Sequence, residues 1–279
     1  MNRLRQLTGP MVLIRGAGEQ ASGVAWALVK AGFRVIMTEV EQPLMVRWPV
    51  SYGTAAAAEE RRWTVERITA YHVTSADQFE DKWAAGGIPI LVDPELTCLK
   101  KFQPAILVDA IMAKRNLGTC RDMAPLTIGL GPGFTAGKDV HVVIETNRGH
   151  NLGRIILEGT AEPNTGVPGD VAGYNWERVV YSSQAGTFRA ARKIGERVAR
   201  GDVLGIIEGE QRQDSVLSPL GGIVRGLIQT GTYVASYIKI GDIDPREEKE
   251  YCWTISDKAR AIGAAVLLSI LEQKALRLV

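Results

Sequence analysis

The sequence is poor in the residues that announce chemistry on their own. It holds three cysteines in 279 residues. Cys98, Cys120 and Cys252 are far apart and odd in number, so they form neither a disulfide framework nor a CxxC metal pair. They read as reduced thiols of a cytoplasmic protein. Histidines are equally scarce, at three. His141 and His150 fit no standard zinc spacing, so no metal is expected. An excess of one charge is also missing, with 33 Lys and Arg against 31 Asp and Glu and a net charge of +2. Nothing therefore calls for nucleic acid or an anionic membrane as partner. Long hydrophobic runs are absent too. No stretch approaches the ~20 apolar residues that cross a bilayer. The richest, Ile262 to Leu271, reads as a buried helix face. The opening MNRLRQLTGP carries Arg3 and Arg5 but no apolar run long enough for a signal peptide. A soluble, cytoplasmic protein is expected. Its length suits two or three domains with a substantial core.

What is present begins as alternating strand and helix signals. Met11–Ile14 is a short apolar run, as in a strand buried on both faces. A glycine turn, RGAGEQASG, follows. Val24, Leu28 and Val29 then mark a helix that Gly32 stops, and Arg34–Thr38 predicts a second strand ending at Glu39. Residues 51–62 have high helix propensity. Ser75–Ala85 predicts a helix with a serine cap. Further strands are expected at Ile88–Val92, Ala105–Val108, Leu126–Leu130 and Val140–Glu145. Such alternation predicts an α/β protein with a Rossmann-like parallel sheet over residues 1–160. Residues 158–176 read as a connection rich in Gly, Pro, Asn and Asp.

An internal repeat comes next. Gly186-Thr-Phe-Arg189 recurs as Gly222-Ile-Val-Arg225, and Gly195, Val198 and Gly205 recur as Gly231, Val234 and Gly241, always 36 residues on. A gapless repeat of short β runs predicts two quasi-equivalent β units packed together over 177–246. Residues 247–279 are expected to return to the first domain, with a helix from Ser256 to Leu278.

Four groups carry candidate chemistry. Gly16, Gly18 and Ala21 follow a strand and open a helix, so the turn suits a phosphate: Gly16 for the tight turn, Gly18 for close approach, Ala21 for helix–strand packing. Glu39 stands where an acid would meet ribose hydroxyls. Arg15 before the turn and Glu19 at its phosphate pole fit less well, and a purely structural turn is the alternative. The loop from Gly129 to Asp139, with Gly131, Gly133 and Lys138, suits an anion nest or a structural turn. His141 and Glu145 share a face if their segment is one strand, with Asn147, Arg148 and His150 just beyond it. That group suits an anionic ligand or proton transfer, or else is a solvated strand end. Lys114 and Arg115 follow a strand end, as phosphate ligands or helix-surface cations. Arg47 and Lys193 read as surface cations.

These residues carry a family resemblance. GAGEQASGVAWAL at 16–28, KRNLGT at 114–119, IGLGPGFTAGKDVHVVIETNRGHNLGR at 128–154, IGDIDPR at 240–246 and SDKARAIGAAVL at 256–267 resemble the YqeB family of selenium-dependent molybdenum hydroxylase maturation proteins. The N-terminal turn is similar to that of XdhC-type maturation factors. The resemblance implies an accessory factor for a molybdenum hydroxylase as client, holding NAD(P) or a molybdopterin dinucleotide as its phosphate-bearing small molecule. It carries over no catalytic residue. The repeat module resembles the biotinyl/lipoyl-type barrel-sandwich hybrid. Gln211 falls at the expected carrier position of its hairpin and no lysine flanks it, so neither biotin nor lipoate is expected. Rival readings are an NAD(P)-dependent oxidoreductase and a non-catalytic scaffold docking on the hydroxylase. A homodimer is the base-rate assembly.

Overall fold

The computed structural model describes residues 7–276, and its contacts divide the chain into two compact units. Arg3, Arg5 and the expected helix end at Leu278 lie outside the described residues. The first unit takes in 7–43, 51–165 and 255–276, and the second 44–50 and 166–254.

In the first unit the chain runs through β1 (Met11–Arg15), α1 (Glu19–Lys30), β2 (Arg34–Glu39), α2 (Thr54–Ala57), β3 (Arg62–Val65) and β4 (Ile68–Val73). It continues through α3 (Phe79–Ala84), β5 (Ile88–Val92), β6 (Ile106–Asp109), β7 (Leu126–Leu130) and β8 (Thr135–Ala136). Then come β9 (Val142–Ile144), β10 (Ile155–Ile156), β11 (Gly159–Thr160) and, near the C-terminus, α4 (Asp257–Leu276). Nine strands form one sheet in the order β10-β9-β7-β6-β1-β2-β5-β4-β3. Ile14 lies level with Met37 on one side and Val108 on the other. Val12, Leu13, Ile14, Val35, Ile36, Met37, Leu107, Val108 and Ile128 are wholly buried, which suits central strands covered on both faces.

The two edges depart from a parallel sheet. β3 runs antiparallel to β4, and β10 antiparallel to β9. The β3–β4 turn is Glu66-Arg67, both at positive φ (43° and 69°). That is the conformation of a two-residue hairpin turn, built here without the Asn or Gly that would signal it. The helix expected over 51–62 shrinks to α2, because Ala58 is extended and Arg61 has φ 52°. The segment 110–120 is a loop, so Lys114 and Arg115 are loop cations and not helix-surface ones.

Helices α1 and α4 cross with no room to spare. A Cβ on Gly23 would sit 2.5 Å from the Ala259 carbonyl oxygen, and one on Gly263 would sit 2.5 Å from the Gly23 carbonyl oxygen and 3.2 Å from the Ala27 Cβ. The contacts advance together along both helices, so α1 and α4 run parallel and begin at the same end. Val24, Leu28, Ile262, Val266 and Ile270 are buried on them.

The second unit contains β12 (Val179–Tyr181), β13 (Gly186–Ala190), β14 (Arg197–Val198), β15 (Val203–Glu208), β16 (Gln213–Leu217), β17 (Gly222–Leu227), β18 (Tyr233–Val234) and β19 (Lys239–Asp244). They form two antiparallel sheets, β12-β19-β17-β14 and β16-β15-β13-β18. The starts of β13, β14 and β15 recur as those of β17, β18 and β19, each 36 residues later. Each repeat lends its short middle strand to the other's sheet: Val198 pairs with Gly222, and Val234 with Gly186. Phe188, Leu204, Ile207, Val224, Val234, Ile240 and Ile243 fill the core. Arg47, expected on the surface, is 6% exposed. Its guanidinium donates to the carbonyls of Arg225 and Tyr251, each at 3.0 Å, so residues 44–50 belong with this unit. Lys193 is exposed.

The class expected from the sequence, a Rossmann-like parallel sheet with an appended barrel-sandwich module, is therefore corrected. The chain forms a mixed nine-stranded sheet with few helical crossovers, a separate β11–β8 pair, and a unit of two antiparallel sheets. Antiparallel strands close both edges because short connections join them to their neighbours, Glu66-Arg67 between β3 and β4 and residues 145–154 between β9 and β10.

Candidate functional site

The carboxyl ends of β1, β6 and β7 lie level, with Arg15 beside Asp109 and Asp109 beside Gly129. The chain leaves β1 toward β2 on one side, while β6 flanks β1 on the other. Ligands of open α/β sheets bind beyond the carboxyl ends at such a reversal. Gly16 makes the turn there with φ 94°, and its N–H donates to the Thr38 carbonyl at 2.9 Å. A Cβ would meet the Ala110 carbonyl at 3.1 Å. Gly18 caps α1 without a side-chain hydrogen bond, and the space where its Cβ would stand is open. Ala21 is wholly buried behind it.

Glu39 turns back onto the turn. Its carboxylate accepts the Ala17 and Val40 N–H groups, both at 2.9 Å. Burial raises its pKa, and those two backbone bonds counter the rise only in part. Nearby, Gln20 Oε1 and Thr38 Oγ1 are buried without a hydrogen-bond partner among the described residues. Buried polar atoms are satisfied almost everywhere else in proteins.

Arg15, which fits the phosphate turn least well in sequence, is spent on backbone and loop partners. It is 7% exposed. Its guanidinium donates to the Leu117 carbonyl at 3.0 Å, Thr119 Oγ1 at 3.0 Å and the Pro94 carbonyl at 3.1 Å, and lies 3.5 Å from Asp109. It anchors the loop that carries Lys114 and Arg115. That loop packs on the glycine loop after β7, because a Cβ on Gly133 would sit 2.6 Å from Arg115 Cα. Gly131 in turn packs on the Thr146 hydroxyl. The turn, the 110–119 loop and the loops after β7 and β9 thus meet at one edge.

The paired His141 and Glu145 are corrected. β9 covers only Val142–Ile144, so the two flank it at opposite ends, about 13 Å apart along the strand. His141 stands beside Thr127 near the start of β7, with Nδ1 2.8 Å from the Thr127 hydroxyl and 3.0 Å from its N–H. It lines a cleft with Gln103, Arg121 and Met123 at the amino edge, away from the glycine turn. Glu145 does reach the carboxyl edge, but as an organiser. Its carboxylate accepts the N–H groups of Thr146, Asn147 and Glu162 at 2.6–2.7 Å. Asn147 Nδ2 donates to Glu162 at 2.6 Å. That bond, with a second from Asn151, lowers the Glu162 pKa. His150 is exposed in the turn that follows. We expect Glu145→Gln, which loses the charge and one acceptor, to speed exchange of the Thr146, Asn147 and Glu162 amides about tenfold or more. Hydrogen exchange followed by NMR reads this, and unchanged protection would remove Glu145 from that role.

Lys258, in the first turn of α4, had no sequence signal beyond a helix start. Burial, then the Arg148 guanidinium, pushes its amine below the usual lysine range, with Lys114 adding to this and Glu19 and Glu145 opposing it. Arg148 itself makes a two-pronged pair with Asp257 at 2.6 and 2.9 Å. No group of three or more His, Cys, Asp and Glu suited to a metal occurs among the described residues.

Comparison with known proteins gives a sequence relative of this class of chain. The uncharacterized protein YqeB of Escherichia coli K12 is 50% identical over 261 residues, which cover 94% of this chain. The chain spans 47% of that protein's length, about half of it. The match supports the family name given by the resemblance and assigns no activity. No family model matches the chain. Similar solved structures include a succinylglutamate desuccinylase/aspartoacylase from Rhodobacter sphaeroides (16% identity, TM-score 0.28) and an aspartoacylase family protein from Mesorhizobium loti (14%, 0.28). A third is the ectoine utilization protein EutE of Ruegeria pomeroyi (13%, 0.27), and each match covers 85% of both chains. YqeB carries no assigned activity, so the expected role in molybdenum hydroxylase maturation is corrected to no assigned role, and the mixed sheet corrects the Rossmann-like class. At such TM-scores these structures assign neither fold nor activity to the chain. No helix among the described residues is long and apolar enough to cross a membrane.

Proposed function

We propose that the first unit binds a dinucleotide, with its pyrophosphate on the Gly16–Gly18 turn and a ribose hydroxyl at Glu39. NAD(P) and a molybdopterin dinucleotide share that chemistry, since each presents a pyrophosphate to a glycine turn at a helix N-terminus. The observation that carries the reading is the open, uncapped start of α1 at Gly18. The first N–H groups of that helix are donors for a phosphate. Glu39, held by the Ala17 N–H, supports the ribose contact, and the orphaned Gln20 Oε1 is an acceptor for a ligand donor.

Gly18→Asp separates binding from folding. Asp is at least as good an N-cap as Gly, so the melting temperature should hold or rise. Its carboxylate would occupy the phosphate position, so affinity for ADP should fall at least tenfold by calorimetry. Undiminished ADP affinity in that variant would reject the assignment of the turn. Mass spectrometry of the small molecule that co-purifies distinguishes a nicotinamide from a pterin.

A further inference from the structure

We infer that Lys258, with Lys114 and Arg148 beside it, forms a second anion contact that takes the second phosphate of the pyrophosphate whose first lies on the glycine turn. The inference rests on the reading above and deepens it.

Three observations lead there. The first is the helix crossing. Because α1 and α4 run parallel from the Gly23–Ala259 contact, both begin at the carboxyl edge, and Lys258 lies beside the first turn of α1. The positive ends of two helix dipoles therefore stand side by side. The second is the state of the ammonium. Lys258 is half-buried, yet among the described residues its Nζ makes no hydrogen bond and no ion pair within 4 Å. A partly desolvated cation without a partner is unfavourable, and an oxyanion offsets that cost. The third is the company it keeps. Its charged neighbours are Arg148, Lys114, Glu19 and Glu145. The carboxylate of Glu145 is already filled by three backbone N–H groups, and Arg148 is drawn to Asp257. Lys114, on an exposed left-handed residue of the 110–119 loop (φ 62°), completes the cationic side. The amine shifted down by burial and by Arg148 agrees with a site short of negative charge.

The test uses the full chain, with inorganic pyrophosphate and ADP as probes. Calorimetry of wild type, Lys258→Met, Lys258→Arg and Gly18→Asp gives affinities. NMR of the 13C-methylated lysines gives the Lys258 pKa with and without pyrophosphate. We expect Lys258→Met to lose at least tenfold in pyrophosphate affinity and Lys258→Arg to lose only a few-fold. In the wild type, saturating pyrophosphate should raise the Lys258 pKa toward the ordinary lysine value, a readout that does not depend on any variant folding. If pyrophosphate binds and Gly18→Asp weakens it, while Lys258→Met binds as wild type and the Lys258 signal stays still, the Lys258 contact is overturned and the glycine-turn reading stands. If Lys258→Met loses binding and Gly18→Asp does not, Lys258 stands and the turn assignment falls. If wild type binds neither probe, both fall together.

Discussion

Gly23→Val is expected to unfold the first unit. The Gly23 Cβ position lies 2.5 Å from the Ala259 carbonyl oxygen and 2.8 Å from the Ala259 Cβ. Both belong to a helix whose backbone cannot give locally. Relief requires α4 to move away from α1, and that exposes Ile262, Val266 and Ile270, which are wholly buried. Overpacking alone costs about 1–3 kcal/mol, and each large side chain returned to water adds about 1.5–3 kcal/mol. The sum is comparable with the whole stability of an ordinary domain, about 5–15 kcal/mol. Circular dichroism melting and limited proteolysis at α4 would read the loss. A variant that melts like wild type would show that α1 and α4 do not cross this way.

Arg15→Met has the second-largest expected effect, and it joins stability to the site. The substitution keeps most of the volume and removes every donor. Asp109, with its side chain 3% exposed, keeps the Thr119 hydroxyl at 2.6 Å and the Ile111 N–H at 3.2 Å but loses its cation. Breaking a buried pair from one side costs about 3–5 kcal/mol. The Pro94 and Leu117 carbonyls also lose a donor. Because Leu117 and Thr119 close the loop that holds Lys114 and Arg115, pyrophosphate affinity should fall along with the melting temperature. The double variant Arg15→Met/Asp109→Leu should recover part of the stability, since it removes the stranded charge. A double variant no more stable than Arg15→Met would show that the two side chains are not coupled.

How far the sequence could be read depended on how local each signal was. The stretch β1–α1–β2 was legible because an apolar run, a glycine turn, a helical period and a stop at Gly32 all lie within about 30 consecutive residues. The repeat was legible because its glycines recur without a gap. The β3–β4 hairpin was not, since its turn is Glu66-Arg67, residues that seldom take positive φ. The Ala-rich 51–62 segment misled because intrinsic helix propensity is weak and tertiary context overrides it. His141 and Glu145 were paired by a two-residue period run across a segment in which only three residues are strand.

Charge was the least legible feature. Arg15 and Arg47 looked like ordinary cations, and both are buried donors to backbone carbonyls. Nothing local distinguishes an arginine that will serve as a buried fork from one on the surface. Lys258 is more than 200 positions from the glycine turn in the chain, and only the helix crossing brings them to one edge.

By itself, the sequence determined the glycine turn at Gly16–Gly18, the acid at Glu39 that follows it, and the 36-residue repeat. Each is written in neighbouring residues whose backbone preferences need no distant partner. Only the tertiary structure decided which charges face the turn, that α1 and α4 begin side by side, that Glu145 is spent on three backbone N–H groups, and that the repeats exchange their short strands. Those outcomes depend on burial and on contacts between segments far apart in the chain, and the free energy of burying a charge or fitting a helix against a glycine is set by the partner it meets.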